Sequence, residues 1–313
     1  MILKPCGYSD FKKTLCIGLD LAWFGGSIGN PDSQHDYLLA CILSPDSSDT
    51  QLMIERIRLI DRDPSADIIS SAIEALVARN AAHVDRVVLA VDAPLQTSKI
   101  LSVGQKKAWR GADRAFSRIR QAMDRQAGGS RGWQPTLQPG APIPPRVNAL
   151  TQQLMEDVGF SLWQPHLADS PRLMFETFPS GALWAFKRMG AYPHIDQGSE
   201  LRRYKKLRGV SLSENDILDW LATLLGPAEP IIDCEGLWRG LVAQAAVWFL
   251  GTLKPNGEGP YRGGKSFDDL IDTLFCLASA MGYAKGRAHV FIDLEAFDDG
   301  HIIGPGVLGS SLS

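Results

Sequence analysis

The pattern of apolar and polar positions in the first hundred residues predicts strands and a helix in a definite order. Apolar runs predict four strands, at 14–23, 37–43, 52–60 and 86–91, the third with an imperfect alternation of apolar and polar residues. Between the third and the fourth, apolar residues three and four apart predict a helix over 65–80, capped by Ser65. A strand that follows such a helix pairs parallel with an earlier one, so the order predicts a mixed sheet.

The rest of the chain continues with helical patterns separated by loops. We predict helices at 111–125, 179–189, 201–207, 213–225, 236–250 and 266–283, the last one amphipathic, and strands at 173–178 and 289–294. The segment 128–146, rich in glycine and proline, is predicted to be a loop near a site. Because there is no internal repeat or clean linker, we expect one domain over 1–313, with insertions at 96–170 and 199–250 that carry loops and helices.

Two predicted strands contain a carboxylate at a position where the apolar pattern predicts burial. Asp20 interrupts the strand 14–23, and Asp92 ends the strand 86–91. A buried carboxylate is costly unless another group pairs with it. Each acid alone is compatible with a structural role, hydrogen-bonded to a loop or paired with a basic side chain. Two of them on neighbouring strands favour a site.

A third group of acids lies in the predicted helix 266–283. Ser266 and Asp269 satisfy a capping box, which is the structural interpretation. Asp272, however, lies three residues after Asp269 and four after Asp268, so the acids share one helix face, and capping does not require the third. Glu176 is also inside an apolar strand, where it would be a fourth ligand or would position an arginine.

These carboxylates have the chemistry that hard divalent cations require. Mg²⁺ prefers oxygen ligands, and two ions roughly 3.5–4 Å apart can clamp the attacking and leaving oxygens of a phosphodiester. Without cations the acids would repel one another. We therefore expect Mg²⁺ or Mn²⁺, as two ions. The predicted metal ligands are Asp20, Asp92, Asp268, Asp269 and Asp272.

Four motifs, in this order, resemble a known family. They are GLDLAW at 18–23, VDAPL at 91–95, ETFP at 176–179 and DDLIDTL at 268–274. Together they resemble the signatures of the domain of unknown function 429 family, whose members are predicted ribonuclease H-like nucleases. The resemblance covers about residues 14 to 305. It implies an α/β fold with a ribonuclease H-like mixed sheet flanked by helices, plus a helical and loop insertion.

The resemblance also implies roles for individual acids. By position, Asp20 would be the ligand on the first strand and Asp92 the ligand on the fourth. Asp269 and Asp272 resemble the paired helix acids of ribonuclease H-like junction resolvases. The predicted catalytic residues are Asp20, Asp92, Glu176, Asp269 and Asp272.

Basic residues interleaved with aromatic ones form two stretches of the chain. Such a pattern suits nucleic-acid backbones and stacked bases, although solvated helix faces produce it equally well. The formal net charge of −3 excludes a generally basic surface but not a local basic groove. The predicted nucleic-acid-binding residues are Lys107, Arg110, Arg114, Arg118, Arg203 and Lys206.

Three functions remain open from the sequence. The first is a metal-dependent nuclease that cleaves phosphodiesters at a two-metal carboxylate site. The second is an ATP-binding phosphotransferase of the actin and sugar-kinase type, which shares the topology, although Trp23 and Phe24 are bulky for a phosphate loop. The third is a non-catalytic nucleic-acid-binding protein on the same fold.

The cysteines and the hydropathy indicate the compartment. The five cysteines form no C-x-x-C pair, the N-terminal residues lack a secretory apolar segment, and no run of 18 apolar residues occurs. We therefore expect a cytoplasmic protein without a membrane span. The pattern predicts no particular oligomeric state.

Overall fold

The computed structural model describes residues 2–21, 35–45, 51–58, 66–95, 143–179, 181–182, 211–232, 236–253, 261–262, 265–292 and 301–305. The strands are β1 Ile2–Cys6, β2 Thr14–Asp20, β3 His35–Leu43, β4 Met53–Arg58, β5 Arg86–Asp92, β6 Ser161–Leu162, β7 Arg172–Glu176, β8 Ser211–Leu212, β9 Tyr261–Arg262, β10 Ala288–Ile292 and β11 Ile302–Pro305. The helices are α1 Ala66–Asn80, α2 Ile143–Glu156, α3 Glu214–Leu225, α4 Glu229–Ile232, α5 Leu237–Leu253 and α6 Lys265–Ala284.

A mixed sheet forms the centre of the fold. Its order is β4-β3-β2-β5-β7-β11-β10-β1, with β6 paired to β7. The strands β2, β5 and β7 are parallel, whereas β3 and β4 continue from β2 as an antiparallel meander. A meander followed by a helix and two parallel strands is the ribonuclease H-like arrangement. The predicted fold class is therefore confirmed.

Helices cover both faces of the sheet because β2 and β5 are apolar on both sides. Cys16 and Val88 face the layer that contains α3, α5 and α6. Ile17 and Leu89 face the opposite layer, formed by α1 and α2. Continuous apolar strands of this kind are typical of sheets that are buried on both faces.

Helix α6 is buried on every side, although its polar and apolar residues segregate as predicted for an amphipathic helix. Every residue over 267–284 is buried, since the sheet lies on one side and α3 and α4 lie on the other. The helix begins at Lys265, which places Ser266 inside the first turn. This start is two residues earlier than the capping-box interpretation of Ser266 and Asp269 requires, and the side chain of Ser266 lies outside the described part of the chain.

Most predicted elements are confirmed within a few residues, and the exceptions have physical reasons. Helix α2 includes 143–146, which we predicted to be loop, because prolines are tolerated in a first helical turn. The strands β1, β6, β8, β9 and β11 were not predicted, since each has five residues or fewer. The predicted helices at 111–125 and 201–207, and Ser65, lie outside the described residues. The extent of the two insertions stays a prediction.

Candidate metal centre

The site begins where the two central parallel strands end. Asp20 and Asp92 are direct partners in the register of β2 and β5. Partners in parallel strands place their side chains on the same face, and Cys16 and Val88 show that this is the face covered by α6. Asp20 is buried and Asp92 is partly buried. The topology thus places two carboxylates side by side.

Gly18 brings helix α6 against this strand end. A Cβ atom at Gly18 would lie 2.4 Å from the backbone nitrogen of Leu277 and 2.7 Å from the carbonyl oxygen of Thr273. No other residue type fits, because these neighbours are backbone atoms of a helix and cannot rotate away. The helix therefore packs directly on β2, two residues before Asp20.

Cys276 lies among the acids of both elements. Burial raises the pKa of the Cys276 thiol, and the carboxylates of Asp92, Asp20 and Asp272 raise it further in that order. A hydrogen bond with the Asp92 backbone acts in the opposite direction. An electrostatic effect of three carboxylates on one buried thiol requires all three to be near it. The acids of two strands and one helix thus lie on the same side of the sheet, around one buried thiol.

The other helix acids lie one turn earlier in α6. Asp268 is 4% exposed and Asp269 is 1% exposed, compared with 4% for Asp272. Carboxylates in a first helical turn are stabilised by the helix dipole, which explains part of this burial. Asp272 lies beyond the first turn, where that effect is weaker. Asp268 and Asp272 are four residues apart, so they share the stripe of the helix that leads to Cys276.

Side-chain hydroxyls fix α6 relative to the sheet. Thr177, directly after β7, makes a 2.9 Å hydrogen bond with Ser279. Since the Ser279 hydroxyl donates to the carbonyl oxygen of Phe275, Thr177 is the donor of that bond. Thr273 donates in the same way to the carbonyl oxygen of Asp269. These buried bonds connect the helix to itself and to β7 in the turns that follow the acids.

Glu176 lies beside the site but in a different register. It is paired with Val91, not with Asp92, and side-chain alternation in β7 places it on the same face as Met174. The face of Asp20 is instead occupied by Thr177, through its bond to Ser279. The catalytic role of Glu176 stays a prediction.

Sequence reasoning missed three residues that shape this site. Gly18 and Cys276 had no recognised role, although a glycine inside an apolar strand is a known signal of close backbone approach. Ser279 gave no signal. All the predicted nucleic-acid-binding residues lie outside the described residues: Lys107, Arg110, Arg114, Arg118, Arg203 and Lys206.

The donor set suits a hard cation, although a complete cage is not preformed. Within the part of the chain that the structure describes, no three His, Cys, Asp or Glu side chains are already arranged to hold a metal ion. Mg²⁺ does not require such a cage, since it keeps several waters and is usually held by one or two carboxylates together with substrate phosphates. Asp20 and Asp92 supply two carboxylates side by side, and the buried Asp272 comes from the helix that covers this face. The residues therefore fit Mg²⁺ or Mn²⁺.

Comparison with known proteins identifies a family. The family described as "Protein of unknown function (DUF429)" matches residues 46–296, and the chain belongs to it. No curated protein and no solved structure matches the chain. Among the described residues, no helix has the length and apolarity to cross a membrane.

Proposed function

We propose that this member of the DUF429 family is a metal-dependent nuclease that cleaves phosphodiesters at the carboxyl ends of β2 and β5. One observation carries the proposal: Asp20 and Asp92 are direct partners at the carboxyl ends of β2 and β5, on the face that α6 covers with its buried acids Asp268, Asp269 and Asp272. Acids held together in a protein interior repel one another. Divalent cations would neutralise the charge of such a cluster.

The residues around the cluster would hold it in place while a substrate binds. Asp20 and Asp92 are fixed by the central strands, which are the most buried part of the sheet. Asp272 is fixed through the contact between α6 and Gly18. Rigid elements position ligands more accurately than loops do. We propose that a substrate enters at the carboxyl ends of β2 and β5, where Asp92 is partly exposed.

The proposed cofactor is Mg²⁺ or Mn²⁺, as two ions. Asp20 and Asp92 would hold one ion between them, and Asp272, with Asp268 or Asp269, would hold the second. Bound there, the ions would activate water and stabilise the charge on the leaving oxygen. The chain's own part is to collect the carboxylates and to exclude water from their inner side, where Cys276 and Phe275 are buried.

The test is a cleavage assay with purified protein, Mg²⁺ or Mn²⁺, and labelled single-stranded, duplex, hybrid and branched DNA and RNA. We expect cleavage of at least one substrate, abolished by EDTA. Asp20→Asn should reduce its rate by about 10²–10³-fold, because it removes one charge from the ligand set at constant shape. Asp157→Asn, at an exposed acid, is the matched control and should cleave as the wild type does.

Two results would count against the proposal. Equal cleavage by wild type and Asp20→Asn would mean that the activity comes from elsewhere or from a contaminant. Metal-dependent hydrolysis of ATP, in the absence of any cleavage, would favour the phosphotransferase alternative.

We also propose a cytoplasmic location, because all four described cysteines, Cys6, Cys16, Cys41 and Cys276, are free thiols.

A further inference from the structure

A row of three polar residues crosses the carboxyl ends of the central parallel strands. Asp20 and Asp92 are partners at the ends of β2 and β5. Since Val91 is the partner of Glu176, the residue after β7, Thr177, lies beside the last residue of β5. The amide of Thr177 donates to the carbonyl oxygen of Val91 at 2.9 Å, which continues the parallel pairing by one residue. Thr177 therefore lies on the same face as the two strand acids.

Helix α6 presents a matching stripe to this row. Asp272, Cys276 and Ser279 are separated by four and three residues, which places them on one face of the helix. Cys276, in the middle of the stripe, makes a hydrogen bond with the backbone of Asp92. Ser279, at one end, makes the 2.9 Å hydrogen bond with Thr177. The face of α6 that carries Asp272 is therefore the face attached to the strand ends.

The bond between Thr177 and Ser279 is a directional contact in a core that is otherwise mainly apolar. The two side chains are 2% and 0% exposed, and α6 packs in this core through apolar side chains such as Leu270 and Leu274. Apolar contacts have no preferred direction, so they tolerate a small rotation of a helix. A hydrogen bond weakens steeply when its angle departs from linear. The hydroxyl pair therefore favours one rotation of α6 against the sheet.

We propose that Thr177 and Ser279 are positioning residues, whose hydrogen bond sets the rotation of α6 and thereby places Asp272 to hold the second divalent cation. This inference rests on the proposed function, because it concerns the cation proposed for Asp272. Two ions that act on one phosphodiester lie roughly 3.5–4 Å apart, and their ligands have to be held within about 0.5 Å. Seven residues of helix, about 10 Å long, connect Ser279 to Asp272, so a rotation at one moves the other.

The experiment counts the Mn²⁺ ions bound to the full chain, from the EPR signal of the free ion during a titration without substrate. We expect the wild type to bind two ions. Thr177→Val should bind one of them about tenfold more weakly, because groups that orient metal ligands typically contribute at least that factor. Valine keeps the shape of threonine, and the Ser279 hydroxyl still has the carbonyl oxygen of Phe275 as its acceptor. Thr177→Ser, which retains the hydroxyl, should bind both ions as the wild type does.

Two controls separate positioning from a general loss of stability. Thr14→Val removes another buried hydroxyl, which donates to the carbonyl oxygen of Lys12 at 2.7 Å, about 20 Å from the carboxyl end of β2. This variant should bind both ions with unchanged affinity. In an Asp272→Asn background, where the positioned ligand is already altered, adding Thr177→Val should weaken binding no further.

A second variant keeps the test independent of the folding of the first. Ser279→Ala breaks the same bond from the helix side and should reproduce the tenfold loss. Wild-type affinity for both ions in Thr177→Val and Ser279→Ala would overturn the positioning role and leave the metal centre intact. An equal loss in Thr177→Ser and Thr177→Val would also overturn it, because the hydroxyl would not be the cause. No Mn²⁺ binding by the wild type up to about 10 mM would overturn the metal centre itself, and this inference with it.

Discussion

Both ends of strand β5 carry a charged residue that is at least partly buried, but the neighbours of that residue differ between the two ends. At the amino end, the guanidinium of Arg86 lies 4.0 Å from the centre of the Tyr8 ring and donates to Asp10 through two nitrogens. The hydrogen bond from Arg86 lowers the pKa of Asp10. At the carboxyl end, Asp92 lies beside Asp20 and like charges are brought together.

This difference would separate a structural charge from the functional one that we propose. Arg86 has an opposite charge, an aromatic face and a backbone acceptor, so its burial stabilises the fold. The acids at the other end place like charges side by side, and like charges that are held together are typical of a site that a cation completes. Removing a charge at the amino end should therefore lower the free energy of unfolding, whereas removing one at the carboxyl end should raise it.

The largest expected change in stability comes from disturbing the contact between Gly18 and α6, which lies beside the acids at the carboxyl ends of β2 and β5. Gly18→Ala should lower the free energy of unfolding by about 3 kcal/mol, because the added Cβ meets backbone atoms of α6. Urea denaturation followed by circular dichroism measures this change. Gly240→Ala is the matched control, since a Cβ at that helix position has open space and should be neutral or slightly stabilising. Equal effects of the two substitutions would contradict the close packing.

The amino end should lose stability when its charge is removed. Arg86→Met should lower the free energy of unfolding by about 2 kcal/mol, through loss of the cation–π contact and of the charged hydrogen bonds. The same denaturation measurement applies. Arg79→Met, at an exposed ion pair with Glu55, should change the stability by less than about 1 kcal/mol. An Arg86→Met variant with the same free energy of unfolding as the wild type would mean that the charge at the amino end does not stabilise the fold.

The acidic end should gain stability when one charge is removed. In EDTA, Asp20→Asn should raise the free energy of unfolding by about 1 kcal/mol, because it relieves repulsion without changing the shape of the side chain. Mg²⁺ should then stabilise the wild type, by about 1.4 kcal/mol at ten times Kd, and leave Asp20→Asn unchanged. Thermal unfolding with and without Mg²⁺ measures both. A strongly destabilised Asp20→Asn variant would instead indicate that Asp20 has a structural role, paired with another group of the protein.

Much of the fold could be predicted from the sequence because the central strands are buried on both faces. Continuous apolar runs predicted the bounds of β2, β3 and β5 to within three residues at each end. The acids could be identified because they interrupt or end those runs. Helix α2 could not be predicted from composition, since prolines 144 and 145 resemble a loop. Its apolar spacing, Val147, Leu150 and Leu154, was the signal that was missed.

The arrangement of the site depends on register, which a single sequence does not encode locally. That Asp20 lies opposite Asp92, and Glu176 opposite Val91, follows from the pairing of strands more than 70 residues apart. The dependence on Gly18 likewise appears only once α6 is packed. The sequence therefore predicted which acids are unusual, but not which of them share a face.

The pairing of β1 with β10 has a consequence for synthesis on the ribosome. Ile2 is opposite Ile292, so β1 is synthesised long before its partner strand β10. At ordinary translation rates this interval is roughly 15 to 60 s. During that time the nascent chain exposes the unpaired edge of a strand, which is a template for wrong association. This protein is therefore expected to depend on chaperones until its C-terminal strands emerge.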